Sequence, residues 1–191
     1  MRPLLPACCQ RGGVSTSVAI QGARKCDFCV TLFFMAREIS AGGVVLRRMK
    51  DRWWIAAIQP RRDNDNPGKP ALALPKGIVD PGEKPDQTAR REVREESGVE
   101  AELITKLGDV RYVYTRTWGD RARVFKIVSF YLFGYAGGEI GNITPEMQHE
   151  VAEAKWIPFE DAPKLLSYKG ERDMIARAQK YVAEHPELQS A

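Results

Sequence analysis

Three features of this sequence predict an α/β domain, a mixed β-sheet layered between helices. From Ile39 onward, strand-like and helix-like segments alternate. The stretch VFKIVSFYLFGY (124–135) is apolar on both faces, the pattern of a strand inside a sheet that is covered on both sides. Near the C-terminus, Met174, Ile175, Ala178 and Val182 recur at helical spacing and form an apolar stripe that needs a surface to cover. Packed together, such elements give an α/β/α sandwich. The chain has 191 residues, 43% of them hydrophobic, which allows one substantial core.

In chain order, residues 1–34 differ from the rest. They lack sustained periodicity, are rich in small residues and hold all four cysteines, Cys8, Cys9, Cys26 and Cys29. Cys26-Asp-Phe-Cys29 is a CxxC, but adjacent Cys8-Cys9 has the wrong spacing for the other half of a zinc site. A disordered extension is expected here, or a start assigned too early, with the domain beginning at Met35. Reduced cysteines and a cytoplasmic enzyme are the default reading. ISAGGVVLRRM (39–49) is a strand, and WWIAAIQP (53–60) is its partner across a Lys50-Asp51-Arg52 turn. Arg61 to Pro70 is a polar loop, and ALALP (71–75) leads into the most informative segment of the chain.

That segment, Gly77 to Val99, reads GIVDPGEKPDQTARREVREESGV. Pro85 suits the first turn of a helix, because its missing N–H would have no partner there. Asp86 places negative charge where the helix dipole favours it. Gly98 is the expected stop. Between these ends, Glu92, Glu95 and Glu96 fall within an arc of about 100°. Ala89 and Val93 flank the arc and turn it toward a core, while Arg90 and Arg94 point away. A solvated, salt-bridged helix would tolerate carboxylates anywhere on its exposed surface. It gives no reason to gather three on one side, where like charges repel unless something neutralises them. Hard oxygen ligands suit Mg²⁺ or Mn²⁺, and Mg²⁺ commonly shares its remaining sites with substrate phosphates.

After this helix, Ala101 to Tyr114 is strand-rich, with Val110, Tyr112 and Tyr114 alternating. TRTWGDRA (115–122) turns back into the apolar strand 124–135. VAEAKWIP (151–158) is a further strand, and Pro163–Leu166 and Glu171–Glu184 read as helices. Lys126 stands inside the apolar strand, where an unpaired charge is costly, so it needs a partner or a cavity. Net charge is +4 with the cations scattered, which does not compel nucleic-acid binding but would help attract a polyphosphate. No apolar run approaches the roughly 18 residues that a membrane span requires.

The pattern G-x5-E-x7-R-E-U-x-E-E-x-G-U, with U a bulky aliphatic residue, runs from Gly77 to Val99, with Val93 and Val99 in the U positions. It resembles the signature of Nudix hydrolases at all nine specified positions. The resemblance implies an α/β/α fold and hydrolysis of a nucleoside diphosphate linked to another moiety. It also implies metal ligation by Glu92, Glu95 and Glu96 and by the carbonyl of Gly77. Glu83 and Arg91 match a pair that holds the loop against the helix. By the same resemblance Glu92 orients or deprotonates the attacking water, or serves purely as a metal ligand.

The segment around Trp156 is similar to Nudix enzymes that cleave diadenosine polyphosphates and to relatives acting on oxidised nucleoside triphosphates. In the former, a glutamate six residues before the tryptophan joins the metal site, and here that position is Glu150. Phosphate contacts are expected from Lys76, Lys126 and Arg61, with Arg47 and Arg62 as further candidates. Base stacking is expected from Tyr114, with Tyr112 and Trp118 as alternatives. Ala73 departs from the pattern, since related enzymes often carry an aromatic residue two positions before the Pro-Lys-Gly. The expected substrate is a small nucleotide or polyphosphate. RNA 5′ ends, inositol polyphosphates and a non-catalytic nucleotide-binding role are the alternatives.

Overall fold

The computed structural model describes residues 36–61, 71–116 and 121–189. The four cysteines, Arg62 and Trp118 lie outside these residues, as do the expectations attached to residues 1–34. Six strands and three α-helices follow in order. They are β1 (Ala36–Met49), β2 (Arg52–Pro60), β3 (Lys76–Ile78), α1 (Pro85–Ser97), β4 (Val99–Thr115), β5 (Arg123–Gly138), β6 (Val151–Pro158), α2 (Ala162–Leu165) and α3 (Lys169–Glu184).

The sheet is mixed, with strand order β4-β5-β1-β2-β6 and β3 added to β1. β1 runs parallel to β5 and antiparallel to β2 and β3. The β1–β2 hairpin closes tighter than the sequence suggests: Met49 pairs with Arg52, so the turn is Lys50-Asp51 alone. Both residues have positive φ, 49° and 61°, the hand that matches the twist of the flanking strands.

Helices cover both faces. On one, Ala89 and Val93 of α1 pack on Ala41, Val45, Tyr131 and Phe133. On the other, Met174, Ile175 and Ala178 of α3 pack with Val44, Leu46, Val128, Phe130 and Leu132. β1 and β5 therefore bury alternate side chains in opposite layers, which is why their sequences are continuously apolar. β5 lies inside the sheet as its two-faced pattern predicts, and the short helix is Ala162–Leu165, one residue earlier than expected. Among the described residues no helix is long and apolar enough to cross a membrane.

Candidate active site

The ends of α1 are set locally. Pro85 opens the helix, and the Lys84 N–H donates to Gln87 Oε1 at 3.1 Å. Gly98 closes it with φ 78°, a left-handed conformation that glycine adopts without steric cost, its N–H donating to the Arg94 carbonyl at 2.8 Å. Between these caps, the apolar contacts of Ala89 and Val93 fix the rotation of the helix. That rotation aims the arc of glutamates at β3.

Glu92 and Glu96 are almost fully enclosed, at 4% and 5% exposure. The carboxylate of Glu92 lies directly against the Cα of Gly77, where any Cβ would overlap it. Glu96 Oε2 accepts the backbone N–H of Lys76 at 2.7 Å. Arg91 ties the assembly together. Its Nη1 donates to Glu92 Oε1 at 2.7 Å and to Glu95 Oε2 at 3.0 Å. Its Nε and Nη2 take the two oxygens of Glu83, each at 3.1 Å, and Nη2 also reaches the Ile78 carbonyl at 3.3 Å. Thr88 Oγ1 donates to Glu83 Oε2 at 2.6 Å. The loop 79–84 is thus fastened to α1 by one guanidinium and one hydroxyl.

The charges in this site are unevenly balanced. Hydrogen bonds from Arg91 and Thr88 hold the Glu83 carboxyl below the usual range, and Glu83 in turn raises the Arg91 guanidinium. Burial pushes Glu92 up against the opposing pull of Arg91, and Glu95 and Glu150 push in the same direction as burial. Burial pushes Glu96 up to about 8 despite Lys76, with Glu92 and Glu150 adding to the rise. Glu150 precedes β6 and its field acts on both helix carboxylates. Its own side chain is 59% exposed and stands 3.3 Å from His149 Nε2. Among the described residues, no three acidic, histidine or cysteine side chains stand close enough to enclose an ion as placed. The donor set nevertheless suits a hard divalent cation: buried carboxylate oxygens, one of them lying against the Gly77 backbone because that residue has no side chain.

A cleft of about 670 Å³ opens on the opposite face, between β4, β5 and the start of α3. Lys76, Tyr112, Tyr168, Glu171 and Phe130 line it. Lys76 therefore touches both regions, its N–H on Glu96 and its ammonium in the cleft wall, 3.2 Å from Glu171 Oε1. Burial would lower the Lys76 pKa, but Glu171 and Glu96 outweigh it and raise it.

The other candidates sit apart. Lys126 meets Glu38, a partner the sequence reading missed, at 3.6 Å. Tyr114 Oη donates to the same carboxylate at 2.8 Å and Arg116 at 3.2 Å. The register Glu38↔Lys126↔Tyr112 puts this group on the cleft's face of the sheet. Arg61 is turned to another use: its N–H and Nε donate to the carbonyls of Glu150 and Gln148, both at 2.6 Å, fastening the segment that carries Glu150. Arg47 lies over the ring of Tyr135 at 4.1 Å, in the layer of α1. Tyr168 and Glu171 were also missed. An acid four residues before Ile175, on the apolar stripe of α3, is the signal that marks Glu171.

The NUDIX domain profile matches residues 37–178, and this chain belongs to the Nudix hydrolase family. It is 35% identical over 148 residues to the MutT4 protein of Mycobacterium tuberculosis (strain CDC 1551 / Oshkosh), covering 76% of this chain and 56% of that protein. The chain thus spans little more than half of that relative's length. It is 31% identical over 140 residues to an RNA pyrophosphohydrolase of Erythrobacter litoralis (strain HTCC2594), covering 68% of this chain and 82% of the relative. The crystal structure of a C. elegans Ap4A hydrolase binary complex superposes with a TM-score of 0.58 at 23% identity, covering 77% of this chain and 98% of the other, and so shares the fold.

Proposed function

We propose that this protein is a Mg²⁺-dependent pyrophosphohydrolase that cleaves a nucleoside diphosphate linked to a second moiety. Mn²⁺ is an acceptable substitute. The substrate we favour is a dinucleoside polyphosphate such as diadenosine tetraphosphate, or a modified nucleoside triphosphate. One observation carries this reading: Glu92 and Glu96 are buried together against β3, Glu92 directly on the backbone of Gly77, with Glu95 beside them on the same Arg91 guanidinium.

Glu92, Glu95, Glu96 and the Gly77 carbonyl would hold the cation, with Glu150 reaching in from the segment before β6. When bound, that ion polarises phosphoryl oxygens and lowers the pKa of a coordinated water. Arg91 and Glu83 keep the loop and helix in one arrangement, so that the carboxylates need not reorganise during the reaction. Glu92 orients or deprotonates the attacking water, or serves purely as a ligand. The water oxygen bonds to phosphorus, the bridging P–O bond breaks, and the leaving phosphate departs with its electron pair. Lys76 meets the phosphate chain from the cleft side. Tyr112 and Tyr168, both about half-exposed, offer ring faces to a base, and Tyr114 stands nearby on Glu38.

The Erythrobacter relative makes RNA 5′ ends the second reading. Against it, several cations that would track a backbone are already engaged, Lys126 and Arg116 with Glu38 and Arg61 with the Gln148 carbonyl. A substrate panel with Mg²⁺ separates the readings: diadenosine tetraphosphate, 8-oxo-dGTP, ADP-ribose, NADH and triphosphorylated RNA, with products resolved by mass. ATP plus AMP from diadenosine tetraphosphate is the expected result. Turnover of RNA alone or ADP-ribose alone would overturn the substrate assignment. Residues 35–191 are proposed to suffice, so removing residues 1–34 should leave kcat/KM unchanged.

A further inference from the structure

The strand segment Leu74–Gly77 is held by acids from two different helices. From the α1 side, Glu96 Oε2 accepts the Lys76 N–H at 2.7 Å. From the α3 side, Glu171 uses both oxygens: Oε2 accepts the Leu74 N–H at 3.0 Å, and Oε1 stands 3.2 Å from the Lys76 ammonium. Glu171 is 4% exposed and shares the buried face of α3 with Met174, Ile175 and Ala178. A carboxylate among these apolar side chains is tolerated only when paired. Lys76 supplies the charge, and its Nζ also lies 5.7 Å from the centre of the Tyr168 ring in the wall of the cleft.

We infer that Glu171 is a positioning residue for hydrolysis: by gripping the Leu74 N–H and the Lys76 ammonium together, it sets that ammonium in the cleft wall, on the residue whose N–H Glu96 holds, so that a substrate phosphate finds it there. The inference deepens the pyrophosphohydrolase reading and rests on it. An acid needed only to satisfy the Leu74 N–H would require one acceptor oxygen, which a glutamine also provides. The second oxygen has a different partner, the cation that faces the ligand. A charge-removing, shape-preserving substitution therefore separates the two roles.

The test is a double-mutant cycle on Lys76→Met and Glu171→Gln, read by steady-state kinetics on diadenosine tetraphosphate and by calorimetric binding of ADP in chelator. Each single variant should raise KM and weaken ADP binding about tenfold, and the double variant should do no worse than either. Glu171→Asp, which keeps the charge on a shorter arm, should fall between wild type and Glu171→Gln. Losses that multiply to about a hundredfold in the double variant would show that Glu171 acts independently of Lys76 and would overturn the inference. So would Glu171→Gln with a wild-type KM and a lowered Tm, the mark of a purely structural acid. If Lys76→Met fails to fold because Glu171 is left unpaired, the double variant compared with Glu171→Gln decides instead. Hydrolysis by wild type with a multiplicative cycle sinks the inference and leaves the proposed function standing. Tight, coupled ADP binding with no turnover of any polyphosphate overturns the proposed function and with it the role in hydrolysis, and leaves only a Glu171–Lys76 unit that holds a ligand. Neither binding nor turnover removes both.

Discussion

Glu96 and Glu171 hold the same few residues of β3 and its approach from opposite sides, and the contrast between them separates the two halves of the site. Both are about 95% buried. Burial pushes Glu171 up, but an ammonium at 3.2 Å and a backbone donor at 3.0 Å oppose it and no other acid adds to the rise. Burial also pushes Glu96 up to about 8 against the Lys76 charge and a backbone donor at 2.7 Å, and here Glu92 and Glu150 add to the rise. The α3 acid has a cation in direct contact, and its side is shaped as a cleft. The α1 side is electrostatically unfinished, and a positive ion would complete it. On the proposed function, bond breaking belongs to the α1 side and ligand holding to the α3 side, with Lys76 between them.

The division makes its largest claim at Glu96. Glu96→Gln keeps the shape and the acceptor for the Lys76 N–H but removes one of the carboxylates proposed to hold the cation. Its kcat should fall by a factor on the order of 10³, with KM little changed. Steady-state kinetics with a near-normal kcat would take Glu96 out of the reacting centre. The next largest effect is on stability. Lys76→Met leaves Glu171 buried without its partner and should cost about 3 kcal/mol in urea unfolding. Lys76→Met combined with Glu171→Gln, which keeps an acceptor for the Leu74 N–H, should recover most of that loss. If the single variant is as stable as wild type, the α3 side is not stabilised by this pair.

Acidity acts on both sides, since burial raises Glu171 as it raises Glu96, and Mg²⁺ is what tells them apart. The folded-state pKa of Glu96 lies above its unfolded value of about 4.5. The folded protein therefore binds more protons than the unfolded chain between those pH values, and unfolding free energy falls as pH rises through that window. Glu92, shifted in the same direction, adds to the trend. In chelator, Tm should drop by about 5 °C from pH 5 to pH 8. Excess Mg²⁺ should restore Tm far more at pH 8 than at pH 5, because it binds the deprotonated carboxylates. A Tm that is flat with pH, or a Mg²⁺ effect equal at both ends, would contradict an unfinished cluster.

The two sides also differ in how far the sequence disclosed them. The α1 side was legible because its determinants are local. Pro85 and Gly98 mark the helix ends, and the spacing of Glu92, Glu95 and Glu96 puts them on one arc whatever the helix packs against. The α3 side depends on contacts between residues far apart in the chain, such as Leu74 with Glu171. No periodicity announces such a pair. The same holds for Lys126, whose need for a partner was readable but whose partner, Glu38, is set by the parallel register of β1 and β5. Arg61 shows the converse. Its charge suggested a phosphate contact, and in the fold its Nε donates to the Gln148 carbonyl while its backbone N–H donates to that of Glu150.

Tyr168 offers the finest test of the division, because it belongs wholly to the cleft. Its ring is half-exposed and lies beside the Lys76 ammonium, at the N-terminal boundary of α3, and none of its atoms is assigned to the carboxylate cluster. If the α3 side only holds the ligand, stacking there stabilises ground state and transition state alike, which changes KM and leaves kcat alone. Tyr168→Ala should therefore raise KM for a dinucleoside polyphosphate about fivefold with kcat within twofold of wild type, and Tyr168→Phe should behave as wild type. A fall in kcat in the alanine variant at unchanged KM would mean that the cleft wall takes part in the chemical step. The clean partition between holding and breaking would then have to be redrawn around Lys76.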